Sequence, residues 1–379
     1  MANEGPLSGY RIVELSGIGP GPYAGQLLAD LGAEVIVVER PGPAMRGIDA
    51  RGKKSIVMDL KKPEAIAALL KIIAGADAMI EGLRPGVTER LGIGPDACHA
   101  VNPKLVYGRM TGWGQSGPWS HMAGHDINYI SMTGALNAMG RAGEPPMPPL
   151  NLVGDFGGGS MFLVTGIIAA LLRAEKTGQG DVVDAAIVDG VNSLMSFVYG
   201  MKGAGAWQVA REANLLDGAA PYYRCYACAD GKFVAVGCIE PQFFAAMMER
   251  LDVDLAEYGG QNDRSKWPAQ HQMLETVFAS KDRDEWDAIF AGTDACVTPV
   301  LDYEEAVVHP ANAGRQTHIQ QPGWTHPQTA PRLASQPLAT AFTKPEKGAD
   351  YAAILATAGV EPDHVAALVD GGAVIAAKG

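Results

Sequence analysis

The sequence predicts an α/β protein with a large parallel-sheet domain and a second, smaller α+β domain. Over the first 110 residues, short aliphatic runs alternate with helical patterns, a rhythm typical of parallel α/β layers. Near Asp217 the pattern changes to a hairpin followed by helices. The 379 residues are enough for two domains with buried cores.

Five buried strands are predicted in the first part of the chain from short runs rich in Val, Ile and Leu. They cover residues 10–15, 34–38, 55–59, 78–81 and 105–109. Helical periodicity lies between them at 22–31, 63–73 and 87–91. Beyond them we expect a long helix over 156–177, apolar through its middle, and a strand or strand-to-helix start at 181–188.

In the second part, Asp230-Gly231 lies between the apolar runs 222–229 and 232–238 and is the strongest hairpin signal of the chain. Helical patterns follow at 241–251, 273–279 and 283–290. Residues 310–345 are rich in Pro, Gln, Gly and Thr and lack periodicity, which predicts a long ordered linker. Helices at 351–358 and 363–370 are expected to close the chain.

The composition limits the classes of partner. A net charge of −12 argues against a nucleic-acid or membrane-surface binder, because such proteins need broad positive surface. The N-terminal residues show no signal-peptide pattern, and the apolar run 161–172 is too short to span a bilayer. We therefore expect a cytoplasmic protein without membrane insertion, in which an anionic ligand would need a local basic patch.

The five cysteines do not indicate a disulfide framework in a chain of this length. Cys225 and Cys228 form a CxxC, but a spacing of three on a strand places the two side chains on opposite faces. No second CxxC or nearby histidine pair completes a zinc site. We expect reduced thiols and no metal.

A glycine-rich turn follows the first predicted strand. GPGPYA at 19–24 has the form of a Rossmann-type dinucleotide motif, and Glu39 lies near the position of a ribose-binding acid. Pro20 and Pro22, however, offer no N–H groups for a pyrophosphate, and Arg40 directly follows Glu39. The sequence therefore predicts a Rossmann-like unit that does not bind NAD.

Basic residues are concentrated between positions 39 and 62. This stretch contains seven basic and three acidic residues, which gives it a local net charge of +4. The basic residues are Arg40, Arg46, Arg51, Lys53, Lys54, Lys61 and Lys62. Arg84 and Arg90 follow in the next strand-to-helix connection. Any single lysine here has a simpler interpretation as a solvated surface charge. For the cluster as a whole we predict an anion site, suited to the 3′-phosphate and pyrophosphate of coenzyme A.

Three ionisable side chains occur where catalysis could use them: His125 in GHDINY, Asp155 in NLVGDFGGG and Glu240 in IEPQ. Each could instead be an ordinary residue at a helix start. Together they form two bases and a partner charge, which can move a carbon-bound proton from one face of a carbon to the other. The N–H groups at the glycine-rich start of the Asp155 helix are expected to stabilise an enolate oxygen. The glycines at 157–159 are expected to let the backbone approach the thioester closely.

Long blocks of sequence carry a resemblance to a known family. They include GIGPGPYAGQLLADLGAEVIVVERPG at 17–42, EGLRPGVTERLGIGP at 81–95, RMTGWGQSGPWS at 109–120, GHDINYISMTGAL at 124–136, PPLNLVGDFGGGSMF at 148–162 and APYYRCYACADGKFVAVGCIEPQFF at 220–244. With these blocks the chain resembles the α-methylacyl-CoA racemases of the family III CoA-transferase superfamily, over nearly its whole length.

The resemblance implies roles for individual residues. His125 and Asp155 would be the two proton-transfer groups on opposite faces of the substrate α-carbon, with Glu240 as the partner of the histidine. Coenzyme A enters as part of the substrate, and no separate cofactor is expected. The residues matching CoA-binding segments are Arg40, Met58, Asp59, Leu60, Lys61, Gly82, Leu83, Arg84, Arg90, Gly124, Asp126, Ile127, Asn128 and Tyr129.

The resemblance also implies the architecture. A large Rossmann-like domain would be built from both chain ends, and two chains would interlock into a homodimer, with Glu240 supplied by the neighbouring subunit. We therefore expect a large domain over 1–190 completed by 331–379, a linker over 191–221, a small α+β domain over 222–310 and a return linker over 311–330. A loose apolar acyl surface is expected at Met195, Met201, Met247 and Met248, each of which could also be an ordinary core residue.

The main alternative is a CoA-transferase of the same superfamily. In that mechanism Asp155 would attack the thioester and form a covalent anhydride. His125 and Glu240 argue against it, because a transferase needs neither as a base. A CoA-binding protein without activity is a third interpretation, which the three ionisable groups disfavour.

Overall fold

The computed structural model of the chain describes residues 5–42 and 50–377. These residues form two units with separate interiors. The first unit comprises Met1–Thr133, Pro149–Met195 and Gln316–Gly379, and the second comprises Gly134–Pro148 and Ser196–Arg315. Relative to the domain boundaries predicted from sequence, residues 134–148 join the second unit and 191–195 join the first.

Within residues 5–42 and 50–377, twelve strands form three sheets. In chain order they are β1 Arg11–Leu15, β2 Glu34–Glu39, β3 Lys54–Met58, β4 Ala78–Glu81, β5 Val106–Thr111, β6 Asp181–Ala186, β7 Tyr223–Ala227, β8 Phe233–Gly237, β9 Val297–Pro299, β10 His318–Gln321, β11 Trp324–Pro327 and β12 Val374–Ile375. The largest sheet has the order β12-β3-β2-β1-β4-β5-β6. All its neighbouring strands are parallel except β12, which is antiparallel to β3.

Sixteen α-helices surround these sheets in the described residues. They are α1 Pro20–Asp30, α2 Pro63–Ala74, α3 Val87–Leu91, α4 Pro95–Val101, α5 Asp126–Met132, α6 Met161–Thr177, α7 Ile187–Leu194, α8 Ser196–Gly203, α9 Pro241–Leu251, α10 Leu255–Tyr258, α11 Trp267–Phe278, α12 Arg283–Phe290, α13 Tyr303–Val308, α14 Pro310–Arg315, α15 Tyr351–Thr357 and α16 Pro362–Asp370. A 3₁₀ turn lies at Leu136–Ala138 and a π-helical segment at Leu152–Ser160. Proline begins several helices, where its missing N–H costs nothing.

The large sheet is doubly wound. The strand order reverses between β1 and β4, which pair with each other near the centre of the sheet. In such sheets, ligands bind outside the carboxyl ends of the strands at the point of reversal. The parallel α/β fold predicted from the alternating pattern is therefore confirmed, and its topology directs attention to one edge.

The hydrophobic core of the first unit unites both ends of the chain. Val13 and Ile36 from the central strands lie in the same buried cluster as Leu69 of α2 and Leu355 and Val374 near the C-terminus. Burying aliphatic side chains of this size stabilises a fold by about 1.5–3 kcal/mol each. The C-terminal segment is therefore an integral part of the large sheet's core.

The second unit has a three-stranded antiparallel sheet, β7-β8-β9, whose β7–β8 hairpin turns at Asp230-Gly231 as predicted. Aromatic rings fill its core. The rings of Tyr226 and Phe278 stack with centroids 5.1 Å apart, and Trp286 meets Phe278 edge-on at 5.3 Å.

Three elements differ from the sequence-based expectations. The stretch predicted as a linker contains α14 and the hairpin β10–β11, because strands of only four residues are too short to show a clear alternation. Helix α11 begins at Trp267, six residues before the predicted start. The helix expected from residue 156 begins at Leu152 as a π-helical segment and becomes α-helical at Met161.

The continuous helix Leu152–Thr177 is long and apolar enough to cross a membrane, although its apolar run was expected to be too short. This is weak grounds for membrane insertion, because the core helix of a globular domain passes the same test. α6 packs on β5 and β6, and its residues Leu163, Ile167 and Leu171 are buried.

Candidate active site

Three of the segments predicted to bind coenzyme A follow the carboxyl ends of strands in the large sheet. Arg40 comes directly after β2, Asp59–Lys61 after β3 and Gly82–Arg84 after β4. The carboxyl ends of parallel strands meet at one edge, so these segments share the edge at which doubly wound sheets bind ligands. Met58 ends β3 and its side chain is fully buried, Asp59 and Leu60 are half-buried, and Lys61 is the first exposed residue of that segment.

The basic cluster predicted from sequence does not act as one site. Arg51 and Lys53 are buried, and each pairs with a carboxylate: Arg51 Nε donates to Asp30 Oδ1 at 3.1 Å, and Lys53 Nζ to Glu14 Oε2 at 2.7 Å. The prediction of an anion site is wrong for these two residues. They precede β3 and therefore lie at its amino end, and the sequence could not reveal their acidic partners.

Lys54, the first residue of β3, pairs with Glu34 at the amino end of β2 and so also lies away from the ligand edge. Lys62 donates to the carbonyl oxygen of Gly371.

The four basic residues that remain for an anion are exposed: Arg40, Lys61, Arg84 and Arg90. Arg46 lies outside the described residues. The carbonyl oxygen of Arg40 accepts a hydrogen bond from Lys347 Nζ at 2.8 Å, which holds the turn after β2 and brings another cation to it.

His125 immediately precedes α5 and is exposed. Its backbone N–H donates to Asn128 Oδ1 at 3.1 Å, so the amide side chain caps the chain at this point. Tyr129 donates its hydroxyl to the carbonyl oxygen of Gly124 and packs edge-on against Trp113. Hydrogen bonds within the GHDINY motif therefore stabilise its turn and the start of α5. Ile127, two residues after His125, is 45% exposed.

Asp155 lies inside the π-helical segment and is half-buried. π-helical turns are rare and are frequent at functional sites. Burial, followed by the negative charge of Asp126, raises the pKa of Asp155 to about 6, while the Asn151 side chain and the charge of His125 act to lower it. His125 and Asp155 are thus electrostatically coupled within one unit, with Asp155 able to exchange a proton near neutral pH.

Asp126, predicted within a CoA-binding segment, has a buried carboxylate that is already engaged by protein. Its Oδ1 accepts the backbone N–H of Asp155 at 2.6 Å, and the N–H of Gly154 also bonds to it. The glycines at 157–159 lie inside the π-helical segment. The N–H groups at the start of this helix were expected to be free to bind an enolate oxygen. This expectation is wrong for those of Gly154 and Asp155, because both donate to Asp126.

The glycine-rich turn after β1 approaches Asp155. Gly19 has φ +74°, and a Cβ built on it would lie 3.3 Å from Asp155 Oδ2. A glycine is needed for both the backbone conformation and the close approach. Glu39, the other residue of the apparent dinucleotide motif, is buried and accepts a hydrogen bond from Ser55 Oγ. The motif therefore packs around the candidate acid and does not present a ribose-binding carboxylate.

Glu240 belongs to the second unit. It is exposed and precedes α9, whose first residue is Pro241. Its negative charge helps to raise the pKa of the Cys296 thiol, after the larger effect of burial. Glu240 and Cys296 therefore share one surface of this unit.

The CxxC residues differ in environment, since Cys225 is exposed and Cys228 is buried. Across residues 5–42 and 50–377, no group of three His, Cys, Asp or Glu side chains is arranged to hold a metal ion.

Two of the four methionines predicted to form an acyl surface are in the core of the second unit. Met247 and Met248 are fully buried, so this prediction is wrong for both. Together with Phe244 and Leu251 they form the buried face of α9, at the spacing typical of a helix that packs on a core. Met195 and Met201 are partly exposed.

Sequence reasoning did not find Asn151 or the contact made by Gly19. The Asn151 side chain forms a hydrogen bond with the Asp155 carboxyl. Because residues four apart lie on the same face of a helix, the spacing of these two residues could have predicted this contact. The approach of Gly19 joins positions 136 residues apart, for which no local pattern exists.

The fold and site define a doubly wound α/β protein in which two ionisable side chains, His125 and Asp155, are electrostatically coupled within one unit. Residues 7–351 match the family described as CoA-transferase family III, so the chain belongs to that family. Alpha-methylacyl-CoA racemase from Mus musculus is 45% identical over 335 residues, 87% of each chain, and the one from Homo sapiens is 43% identical over 340 residues, 89% of each. The crystal structure of Rv3272 from M. tuberculosis is similar with a TM-score of 0.76 at 27% identity, covering 92% of this chain and 99% of that one.

Proposed function

We propose that the protein interconverts (R)- and (S)-2-methylacyl-CoA thioesters by 1,1-proton transfer through an enolate. The observation that carries this proposal is the similarity to two alpha-methylacyl-CoA racemases over 87% and 89% of the chain. The site supports it, because His125 and Asp155 couple electrostatically within one unit.

In the proposed mechanism one group removes the α-proton while the other gives a proton to the opposite face of the carbon. The thioester carbonyl takes the electron pair as an enolate and returns it to the α-carbon on reprotonation. The pair therefore holds one proton before and after each turnover, shared between His125 and Asp155. Burial that raises the pKa of Asp155 to about 6 fits this exchange, because a carboxyl of ordinary pKa would hold its proton too weakly.

Coenzyme A is proposed to bind along the carboxyl edge of the large sheet as part of the substrate. Arg40, Lys61, Arg84 and Arg90 are exposed on the segments that follow β2, β3 and β4, and would contact its phosphates. Gly82, Leu83 and the turn at Gly124 would face the less charged part of the molecule. No other cofactor is needed for the proton transfers.

Glu240 is proposed to act as the charge partner of His125 in a homodimer, contributed by the second unit of the partner subunit. A carboxylate beside the imidazole would stabilise the imidazolium formed when His125 takes the proton.

A CoA-transferase is the second candidate, favoured by the family description itself. In that reaction the Asp155 carboxylate would attack the thioester carbonyl, expel the CoA thiolate and form a mixed anhydride. His125 and Glu240 have no role in those steps as proton carriers.

One experiment separates the two. A single pure 2-methylacyl-CoA epimer is incubated with the protein in D₂O without an acceptor acid. We expect epimerisation with deuterium gained at the α-carbon, and loss of both in His125→Ala and Asp155→Ala. Absence of exchange, with CoA passing to an added carboxylic acid, would establish the transferase and refute the racemase.

A further inference from the structure

His125 and Asp155, the two proton carriers of the proposed mechanism, lie on different segments of the chain. One side chain connects these segments by a hydrogen bond. His125 precedes α5, and Asp155 lies in the π-helical segment. The residue after His125 is Asp126, whose Oδ1 accepts the backbone N–H of Asp155 at 2.6 Å. The backbones of the two proton carriers are therefore linked by one carboxylate.

The surroundings of this carboxylate are built for close contact. Asp126 is 7% exposed. A Cβ at Gly154 would lie 2.3 Å from Asp126 Oδ1, so only glycine allows the carboxylate to reach both amides. The other oxygen, Oδ2, is buried and has no hydrogen-bond partner in the described part of the chain.

Burying a carboxylate with one unpartnered oxygen costs free energy. If Asp126 served only to hold the two backbone N–H groups, a neutral asparagine could accept the same hydrogen bonds. The negative charge is thus the feature that remains to be explained. Its effect is on Asp155, whose pKa it raises after the larger effect of burial.

We propose that Asp126 is a positioning residue for proton transfer: its carboxylate fixes the backbone of Asp155 beside His125, and its buried negative charge acts on the Asp155 carboxyl. This inference rests on the proposed racemase function for its meaning in catalysis. The groups whose charges act on Asp155 are Asp126 and His125, and Tyr129 is a third titratable side chain coupled to it.

The test separates the charge from the clamp. Asp126→Asn keeps an oxygen that can accept the two amides but removes the charge, whereas Asp126→Ala removes both. The control is Asp77→Asn, because Asp77 Oδ2 accepts the N–H of Arg11 at 2.7 Å at the amino end of β1, on the opposite edge of the sheet. Circular dichroism confirms folding of each variant.

The first readout does not depend on activity. Protein labelled with carboxyl-¹³C aspartate is titrated by NMR, and the Asp155 resonance is assigned by its loss in Asp155→Asn. We expect the Asp155 midpoint to fall by about one pH unit in Asp126→Asn and to stay unchanged in Asp77→Asn. An unchanged Asp155 midpoint in Asp126→Asn overturns the proposal.

The second readout is the pH profile of epimerisation. The acid limb of kcat/KM should move to lower pH in Asp126→Asn, because a second proton is then harder to add to the pair. Asp126→Ala should lower kcat by about 100-fold, as expected for displaced catalytic groups, with a smaller change in KM. Equal profiles in Asp126→Asn and the unmodified protein contradict a catalytic role for the charge. If the unmodified protein exchanges no α-proton while the NMR shift is observed, the racemase function fails and the effect of Asp126 on Asp155 stands.

Discussion

Asp155 is a carboxyl group whose surroundings penalise its charge. Its pKa is raised from 3.8 to about 6, mainly by burial. The folded protein therefore binds this proton more tightly than the unfolded chain does. The stability that Asp155 contributes decreases as pH rises from about 4 to about 6, and the loss persists at higher pH.

Replacing this carboxyl should stabilise the protein while inactivating it. At pH 8 we expect Asp155→Asn to raise the free energy of unfolding by about 1 kcal/mol, a value discounted for partial exposure. Near pH 4 the gain should be much smaller, because the carboxyl is then neutral in the folded state. Urea unfolding at both pH values measures this, with Asp184→Asn as an exposed control. A gain that is equal at the two pH values would contradict the assigned cause.

At the level of elements, buried ion pairs secure the segment that leads into β3. Lys53 Nζ bonds to Glu14 Oε2 on β1 at 2.7 Å and to the carbonyl oxygen of Pro22 on α1 at 2.8 Å, and both charged side chains are at most 2% exposed. The pair thus links β3, β1 and the helix that follows the glycine-rich turn. Breaking it would remove the opposite charge from a buried ionised side chain, which is strongly destabilising.

We expect Lys53→Met to destabilise the protein by about 3–5 kcal/mol, because the buried Glu14 carboxylate loses its cationic partner. Adding Glu14→Leu to Lys53→Met should recover much of that loss. Lys54→Met is the matched control, since Lys54 pairs with Glu34 but is 48% exposed, and should cost less than about 1 kcal/mol. Chemical denaturation measures all three. If Lys53→Met were no more harmful than Lys54→Met, the buried pair would not have the structural role assigned to it.

At the level of the whole molecule, the proposed catalytic residues are divided between two units. His125 and Asp155 belong to the first, and Glu240 belongs to the second. In the proposed homodimer each active site would combine the first unit of one subunit with Glu240 of the partner subunit.

Mixed dimers test that arrangement. Co-expression of His125→Ala with Glu240→Ala should restore about a quarter of the unmodified activity, because half of the dimers are mixed and each has one intact site. The matched control combines His125→Ala with Asp155→Ala, two defects in the same unit, and should stay inactive. Epimerisation by the co-purified mixtures is the measurement. Inactivity of the first mixture at a confirmed dimer mass would show that Glu240 does not act across subunits.

Local sequence patterns were sufficient to predict many of the helices and strands, and longer blocks were sufficient to predict the family. Apolar runs such as 78–81 and helices such as 241–251 and 283–290 were predicted with the observed boundaries, because their patterns are local. The resemblance to family III, carried by long blocks around His125, Asp155 and Glu240, was confirmed by the family match.

Which charged side chains are paired with a carboxylate, and which are not, became visible from the folded structure. Arg51 and Lys53 looked like Arg40 and Lys61 in sequence, but the first two find carboxylates from distant segments. Likewise, Gly19 and Asp126 reach Asp155 across 136 and 29 positions of the chain. Charge pairing, burial and close backbone approach depend on distances between segments remote in sequence, and no local pattern encodes those distances.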